Sequence, residues 1–255
     1  KKWVSYLTYR DFCPKFQADV GFNVKNNREW GTLYHAYQTF PNKPALQYFS
    51  IGTKADILYT YEDYLKTISV DGILSIKTLF NTEINYTHDR DVFKNFLGRD
   101  YRNLPSNRFQ VRSSPNESLA INLNLTFGRD LAYNEENPEI GREFNFYFMP
   151  AIQLSNKLRI SPSIRYARLR YINSDNYYYN GSISRFSIRY QFNNFFNVRI
   201  VSEYNTFSER FFIQPLIQWN PNPSTVFYIG GNQNSLNDFN NDMYSIFRVD
   251  QTQIF

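Results

Sequence analysis

Between Arg142 and Tyr166 apolar and polar residues alternate with a period of two. Phe144, Phe146, Phe148, Pro150, Ile152 and Leu154 hold the even positions, while Glu143, Asn145, Tyr147, Ala151 and Gln153 hold odd ones. After Ser155-Asn156-Lys157 the even set resumes with Leu158, Ile160, Pro162, Ile164 and Tyr166, against Arg159, Ser161, Ser163 and Arg165. Successive side chains of a strand point to opposite faces, so the pattern predicts two strands joined by a three-residue turn. That turn sets Leu154 opposite Leu158 and carries Ile152 to Ile160, Pro150 to Pro162, Phe148 to Ile164 and Phe146 to Tyr166. On the other face Gln153 meets Arg159 and Tyr147 meets Arg165. Each strand runs about twelve residues, beyond the ~5–6 usual in soluble sheets and long enough for the ~9–11 of a tilted membrane strand. This stretch alone leaves a transmembrane hairpin and a long sandwich hairpin both open.

The same period recurs along the chain. Phe16, Ala18, Val20, Phe22 and Val24 form an even set; Trp30, Thr32, Tyr34 and Ala36 lead to a break at Pro41-Asn42-Lys43-Pro44. In Tyr64–His88 the even positions include Ile68, Val70, Leu74, Ile76, Phe80, Ile84 and Tyr86. That phase accommodates a loop at Asp71-Gly72-Ile73 or a turn near Leu79-Phe80-Asn81. The cleanest alternation sets Leu119, Ile121, Leu123, Leu125 and Phe127 against Ala120, Asn122, Asn124 and Thr126. Phe186, Ile188 and Tyr190 precede a turn at Asn193-Asn194-Phe195, and Arg189 then falls opposite Arg199 and Arg185 opposite Glu203. Long loops are expected at Asp89–Pro105, Arg129–Gly141, Ile172–Gly181 and Ser235–Asp242, with short turns between them. Outer-membrane barrels alternate long extracellular loops with short periplasmic turns. With strand length and the absence of helical periodicity, this rhythm favours the membrane reading.

Composition changes the picture in the same direction. The 255 residues include 24 Phe and 21 Tyr, so aromatics reach 19%, yet hydrophobic residues total only 42% and mean hydropathy is −0.54. A polar chain with this aromatic load suits a wet interior and an aromatic-banded exterior; the aromatics also exclude disorder. No apolar run approaches the ~20 residues of a membrane helix. The chain opens Lys1-Lys2-Trp3 without a signal peptide, and is expected to be a mature or excised portion of something longer. The net charge of +5 is scattered without a nucleic-acid motif, so no nucleic-acid partner is expected. A lone Cys13 excludes an internal disulfide framework.

At Phe16-Gln17-Ala18-Asp19-Val20-Gly21-Phe22, followed by Asn27-Arg28-Glu29-Trp30, the chain resembles the C-terminal β-barrel domain of unknown function of Bacteroidota outer-membrane proteins. The Phe227-Tyr228 strand after Trp219-Asn220-Pro221-Asn222-Pro223 fits the same pattern, while Lys25 departs from the arginine usual there. The resemblance covers most of the chain through short motifs at strand starts and turns. It implies a Gram-negative outer-membrane location and a barrel fold but no reaction. Proteins of that family often carry an N-terminal domain similar to family-9 carbohydrate-binding modules, which would lie before Lys1.

Catalytic signals are sparse. His35 sits on a strand face beside Tyr34 and Tyr37, and His88 lies in Thr87-His88-Asp89-Arg90-Asp91; the His88–Asp89–Asp91 grouping is the one worth testing. No HExxH, GxSxG or CxxC motif is present and no convergent donor set suggests a metal. No catalytic residue, metal or cofactor is therefore assigned. The expected fold is all-β: one antiparallel transmembrane barrel of about 14–16 strands over residues 1–255, porin-like in architecture. Its lipid-facing candidates are Leu119, Ile121, Leu123, Leu125, Phe127, Phe144, Phe146, Phe148, Ile152, Ile160, Ile164, Phe186, Ile188 and Tyr190. Its lumen-lining candidates are Arg159, Arg165, Arg185, Arg189, Arg199 and Glu203, either biasing a pore toward anions or neutralising one another as a plug. The expected partners are outer-membrane lipid and, beyond it, envelope proteins or glycans. The expected role is a passive pore, or an anchor for another domain or complex. The alternatives are a barrel enzyme at the membrane surface and a carbohydrate-handling β-protein. Because proline cannot donate to a ladder, a bulge or break is also expected at Pro150, Pro162 or both.

Overall fold

Alternation with β-branched and aromatic residues on one face is what a pleated ladder accommodates best. In the computed structural model that pattern becomes a single antiparallel sheet of fourteen strands, β1 to β14, each hydrogen-bonded to its neighbours in chain order. The structure describes residues 1–15, 26–41, 43, 45–222, 224–238 and 246–254. Among these there is no helix, and the sheet is open, its order running from β1 to β14 without a closing ladder. The alternating set expected at Phe16–Val24, and with it the first motif of the family resemblance, lies outside the described residues.

The strands are β1 Lys2–Phe12, β2 Arg28–Thr39, β3 Tyr48–Tyr59, β4 Leu65–Thr78, β5 Thr82–Phe96, β6 Arg99–Asn116, β7 Leu119–Leu131, β8 Ile140–Gln153, β9 Leu158–Tyr171, β10 Tyr177–Gln191, β11 Phe196–Asn205, β12 Arg210–Asn222, β13 Thr225–Asp238 and β14 Ile246–Ile254. They span 9 residues in β14 to 18 in β6. The chain forms two compact units: Lys1–Gln110 with Leu125–Glu143, and Val111–Asn124 with Phe144–Phe255.

Several turns fall where the alternation put them. Leu154 N donates to Leu158 O at 2.9 Å across Ser155-Asn156-Lys157, and Phe192 N donates to Phe196 O at 3.0 Å across Asn193-Asn194-Phe195. The open choice between Asp71-Gly72-Ile73 and Leu79-Phe80-Asn81 resolves to the second. Phe80 and Asn81 take φ of 57° and 49°, and Thr82 N donates to Leu79 O at 3.2 Å. Two left-handed central residues match the twist of a hairpin. Gly72 is mid-strand, between Thr53 and His88.

Other expectations need correction. Asp89–Pro105 is not a long loop: β5 and β6 run through it and meet at Leu97-Gly98, whose φ values of 49° and 75° form another tight hairpin. Polar residues occupy both faces here, and a register shift between Ile68 and Ser69 changes the phase, so period two gives no apolar signal. Tyr177, Tyr178 and Tyr179, expected in a loop, begin β10, with a register shift between Tyr177 and Tyr179. The long–short rhythm of connections is correspondingly weaker than expected, since polar strands continue into the loops that composition suggested. The proline expectation is not met at Pro162 on the β10 side. β8 and β9 run unbroken through Pro150 and Pro162, and β10 pairs Phe186 with Pro162 without a shift.

In the first unit a small apolar cluster of Tyr101, Leu104 and Leu131, joined by Phe96 and Ile140, forms a buried core. Tyr101 Oη donates to Pro138 O at 2.6 Å, tying the 132–139 connection to β6. At Gly52 the ladder is tight: an added Cβ would lie 2.5 Å from Ala36 Cβ and 2.7 Å from His35 O.

Candidate functional site

Cross-strand register decides which side chains meet, and in both units it separates an apolar face from a charged one. In the first unit Leu33, Ala55, Val70 and Arg90 form one row across β2–β5, and Ile57, Ile68 and Phe93 belong to the same face. Leu33 is 54% exposed and Val70 43%. The opposite face buries Ala36, Ser50 and Asp71. Apolar side chains thus face outward from the sheet while a carboxylate is buried.

That buried face carries an ion-pair cluster. Lys54 on β3 sits directly opposite Asp71 on β4, which sits opposite Asp89 on β5. Lys54 Nζ bridges Asp71 Oδ2 at 2.9 Å and Asp56 Oδ2 at 2.7 Å. Asp56 Oδ1 accepts hydrogen bonds from Trp30 Nε1 at 3.0 Å and Thr32 Oγ1 at 2.6 Å. Farther along β5, Lys94 pairs with Asp91 at 2.9 Å. The Oδ1 atoms of Asp71 and Asp89 are buried and have no hydrogen-bond partner. Among the described residues no group of His, Cys, Asp and Glu has the arrangement to hold a metal ion. In the connection after β7, Tyr133 Oη donates to Asp130 Oδ1 at 2.9 Å, and burial pushes its phenol up from 10.0.

The second unit solves its charged face differently. Register sets Arg159 on β9 opposite Arg189 on β10, and Arg189 opposite Arg199 on β11. Neighbouring strands lie about 4.8 Å apart, so three guanidinium groups share a band about 10 Å wide. Arg185 is opposite Glu203, as the alternation predicts, but their 3.7 Å contact is long and Arg185 is 51% exposed. Arg165 lies 4.7 Å over the Tyr147 ring. Arg159, Arg189 and Arg199 make no hydrogen bond, ion pair or ring contact with any described residue, and Arg199 Nε is buried without a partner.

On the other side of these strands Ile188 lies between Ile160 and Ile200, and Phe186 between Pro162 and Ser202. Ile164, Phe186, Tyr190 and Ile200 are all exposed. None of Leu119, Ile121, Leu123, Leu125, Phe127, Phe144, Phe146, Phe148, Ile152 or Ile160 is buried. A shallow groove of about 370 Å³ lies where Pro150 and Pro162 leave space between Phe148, Ile164, Phe186 and Phe211.

The histidines fall elsewhere. His88 and Asp89 point to opposite faces of β5, so the His88–Asp89–Asp91 grouping does not assemble: His88 Nδ1 instead meets Asn107 Oδ1 at 3.0 Å, which also accepts from Tyr86 Oη at 2.8 Å. His35 acquires a partner that sequence reasoning missed. β1–β2 register brings Ser5 Oγ to within 2.7 Å of its Nδ1, while Trp3 stacks on its ring at 5.0 Å. No signal in the sequence gives that register, because both strands are polar and aromatic on both faces. The pair has no carboxylate partner among the described residues, so it falls short of a nucleophile–base–orienter set. Tyr178 stacks on Tyr171 at 3.8 Å, and Cys13 is an exposed thiol. No family model, curated protein or solved structure matches the chain.

Proposed function

We propose that the chain is an outer-membrane β-barrel domain, acting as a passive conduit or as a membrane anchor for another domain or partner. The observation that carries this reading is the inversion of burial across single strands. On β11 Ile200 is exposed while its neighbour Val201, on the face that carries Arg199 and Glu203, is buried. On β4 Val70 is exposed while its neighbour Asp71 is buried. A water-soluble sheet gains free energy by burying its apolar face; this sheet gains it only where the apolar face meets hydrocarbon. Strand lengths near or above the ~9–11 residues of a membrane strand fit the same reading. So does the aromatic cluster Trp3–His35–Tyr37 on β1 and β2, since tryptophan and tyrosine gather at membrane interfaces. The family resemblance, with its outer-membrane location, belongs to this proposal too.

The test is folding in detergent micelles and phospholipid vesicles against folding in buffer. The expected result is a β-rich, heat-modifiable band on cold gel electrophoresis only when detergent or lipid is present. Ile188→Arg should cost about 2–4 kcal/mol if it lies near the bilayer midplane, whereas Ser187→Arg on the other face should be mild. A monodisperse folded chain in plain buffer contradicts the proposal. Planar-bilayer recording then separates conduit from anchor.

A further inference from the structure

We infer that Arg159, Arg189 and Arg199 form a binding site for a phosphate-class polyanion, of diphosphate size or larger. Like charges directly opposite one another on neighbouring strands oppose the pairing that sets them there, and here the ladder places three in one row. The sheet does not neutralise them. Glu203, on the same face of β11, is engaged by Arg185. Toward the turns the row is flanked by amides, Gln191 opposite Asn197 and Asn197 opposite Gln218; on its other side lie Ser161, Ser187 and Val201, and Leu216 is opposite Arg199. Arg199 Nε is buried with no acceptor, so a donor already removed from water is held ready for one. Guanidinium forks bind phosphate oxygens bidentately. A single phosphate satisfies one or two of them; a band about 10 Å wide matches a ligand with more than one phosphate.

The inference rests on the barrel reading in one respect, that this face lines a water-filled interior rather than a packed core. The row lies on the face opposite Ile160, Ile188 and Ile200, which favours a soluble polyanion over a lipid headgroup.

The experiment uses the full chain folded in zwitterionic detergent, with pyrophosphate as the probe in titration calorimetry and thermal melts at matched ionic strength. Pyrophosphate should bind and raise the melting temperature, and Arg189→Gln should weaken binding by about tenfold or more, since a hydrogen bond to a charged group is lost. Arg189→Gln should melt no lower than the parent without the anion, because it relieves repulsion. Arg185→Gln, away from the row, should keep the affinity. Equal binding by the parent and Arg189→Gln, or displacement by chloride at the same ionic strength, overturns the site. Arg189-dependent stabilisation seen only in micelles doped with an anionic phospholipid overturns the soluble ligand. A chain that inserts into vesicles but ignores pyrophosphate refutes this inference and leaves the barrel reading standing; the reverse refutes the barrel alone.

Discussion

The charged faces of the two units are built from the same ladder and reach opposite electrostatic states. In the first, Lys54 on β3 stands opposite Asp71 on β4, and Asp89 on β5 then repeats the negative sign. Lys54 is flanked by Asp56 and Asp71 within 2.9 Å, and Trp30 and Thr32 complete the coordination of Asp56. In the second, one sign repeats across β9, β10 and β11, and no described carboxylate answers Arg159, Arg189 or Arg199. The first face supplies a cation for Asp56 and Asp71 from its own residues, while Asp71 Oδ1 and Asp89 Oδ1 stay buried without a partner. The second carries a surplus of donors that the described residues leave unpaired, and the proposed anion site rests on that surplus. Register, rather than composition, makes the difference: a one-residue slip between β3 and β4 would move Asp71 to the other face.

The comparison is easiest to break at Lys54. Lys54→Met leaves Asp56 and Asp71 facing each other without a cation, and removing one partner of a buried pair costs about 3–5 kcal/mol. Lys54 keeps 31% of its side chain exposed, so the lower end, about 3 kcal/mol, is expected in equilibrium urea unfolding in detergent. A loss below about 0.5 kcal/mol would place the cluster with weak surface pairs. Gly52→Val tests the packing of the same face. With Ala36 Cβ 2.5 Å from the added carbon, overpacking should cost about 1–3 kcal/mol in the same assay, and Gly72→Ala, with nothing within 4 Å of its added carbon, should cost less.

On the arginine side the sign reverses. Arg189→Gln should stabilise the apo protein by about 0.2–1 kcal/mol at low salt, the scale of a cross-strand pair. That gain should shrink as ionic strength rises toward 1 M, where screening acts within about 3 Å. A destabilised Arg189→Gln at low salt would mean that the row is already neutralised. The smallest effect concerns Tyr133. Its folded phenol titrates above 10.0 because of burial, so its contribution is fully present below pH 10 and is lost as pH rises through the folded value. Tyr133→Phe should therefore lose less stability than the parent between neutral pH and pH 11.

Much of the fold was legible because one face of most strands is apolar. The hairpin at Ser155-Asn156-Lys157, the Arg189–Arg199 and Arg185–Glu203 pairings and the all-β class all follow from period two plus turn residues. Legibility failed where both faces are polar. β5 and the start of β6 read as a loop because Asp89 and Asp91 on one face alternate with His88 and Arg90 on the other. The Lys54–Asp71 bridge was equally hidden, since it needs the β3–β4 register. Pro162 misled in the other direction: the rule that prolines interrupt ladders gave way to a β9–β10 register that runs through it. Arg159 joins Arg189 and Arg199 through the β9–β10 register, whereas the sequence alone sets only the last two together.

The central claim is that the apolar face of this sheet meets hydrocarbon while the arginine face does not. In a Cys13→Ser background, a polarity-sensitive fluorophore on Ile188→Cys or Arg189→Cys reports each face of β10 in vesicles containing lipids brominated on their acyl chains. The account predicts a blue-shifted emission, strongly quenched by bromine, at position 188, and a red-shifted, unquenched emission at position 189. Equal quenching at both positions, or quenching at 189 alone, would contradict it.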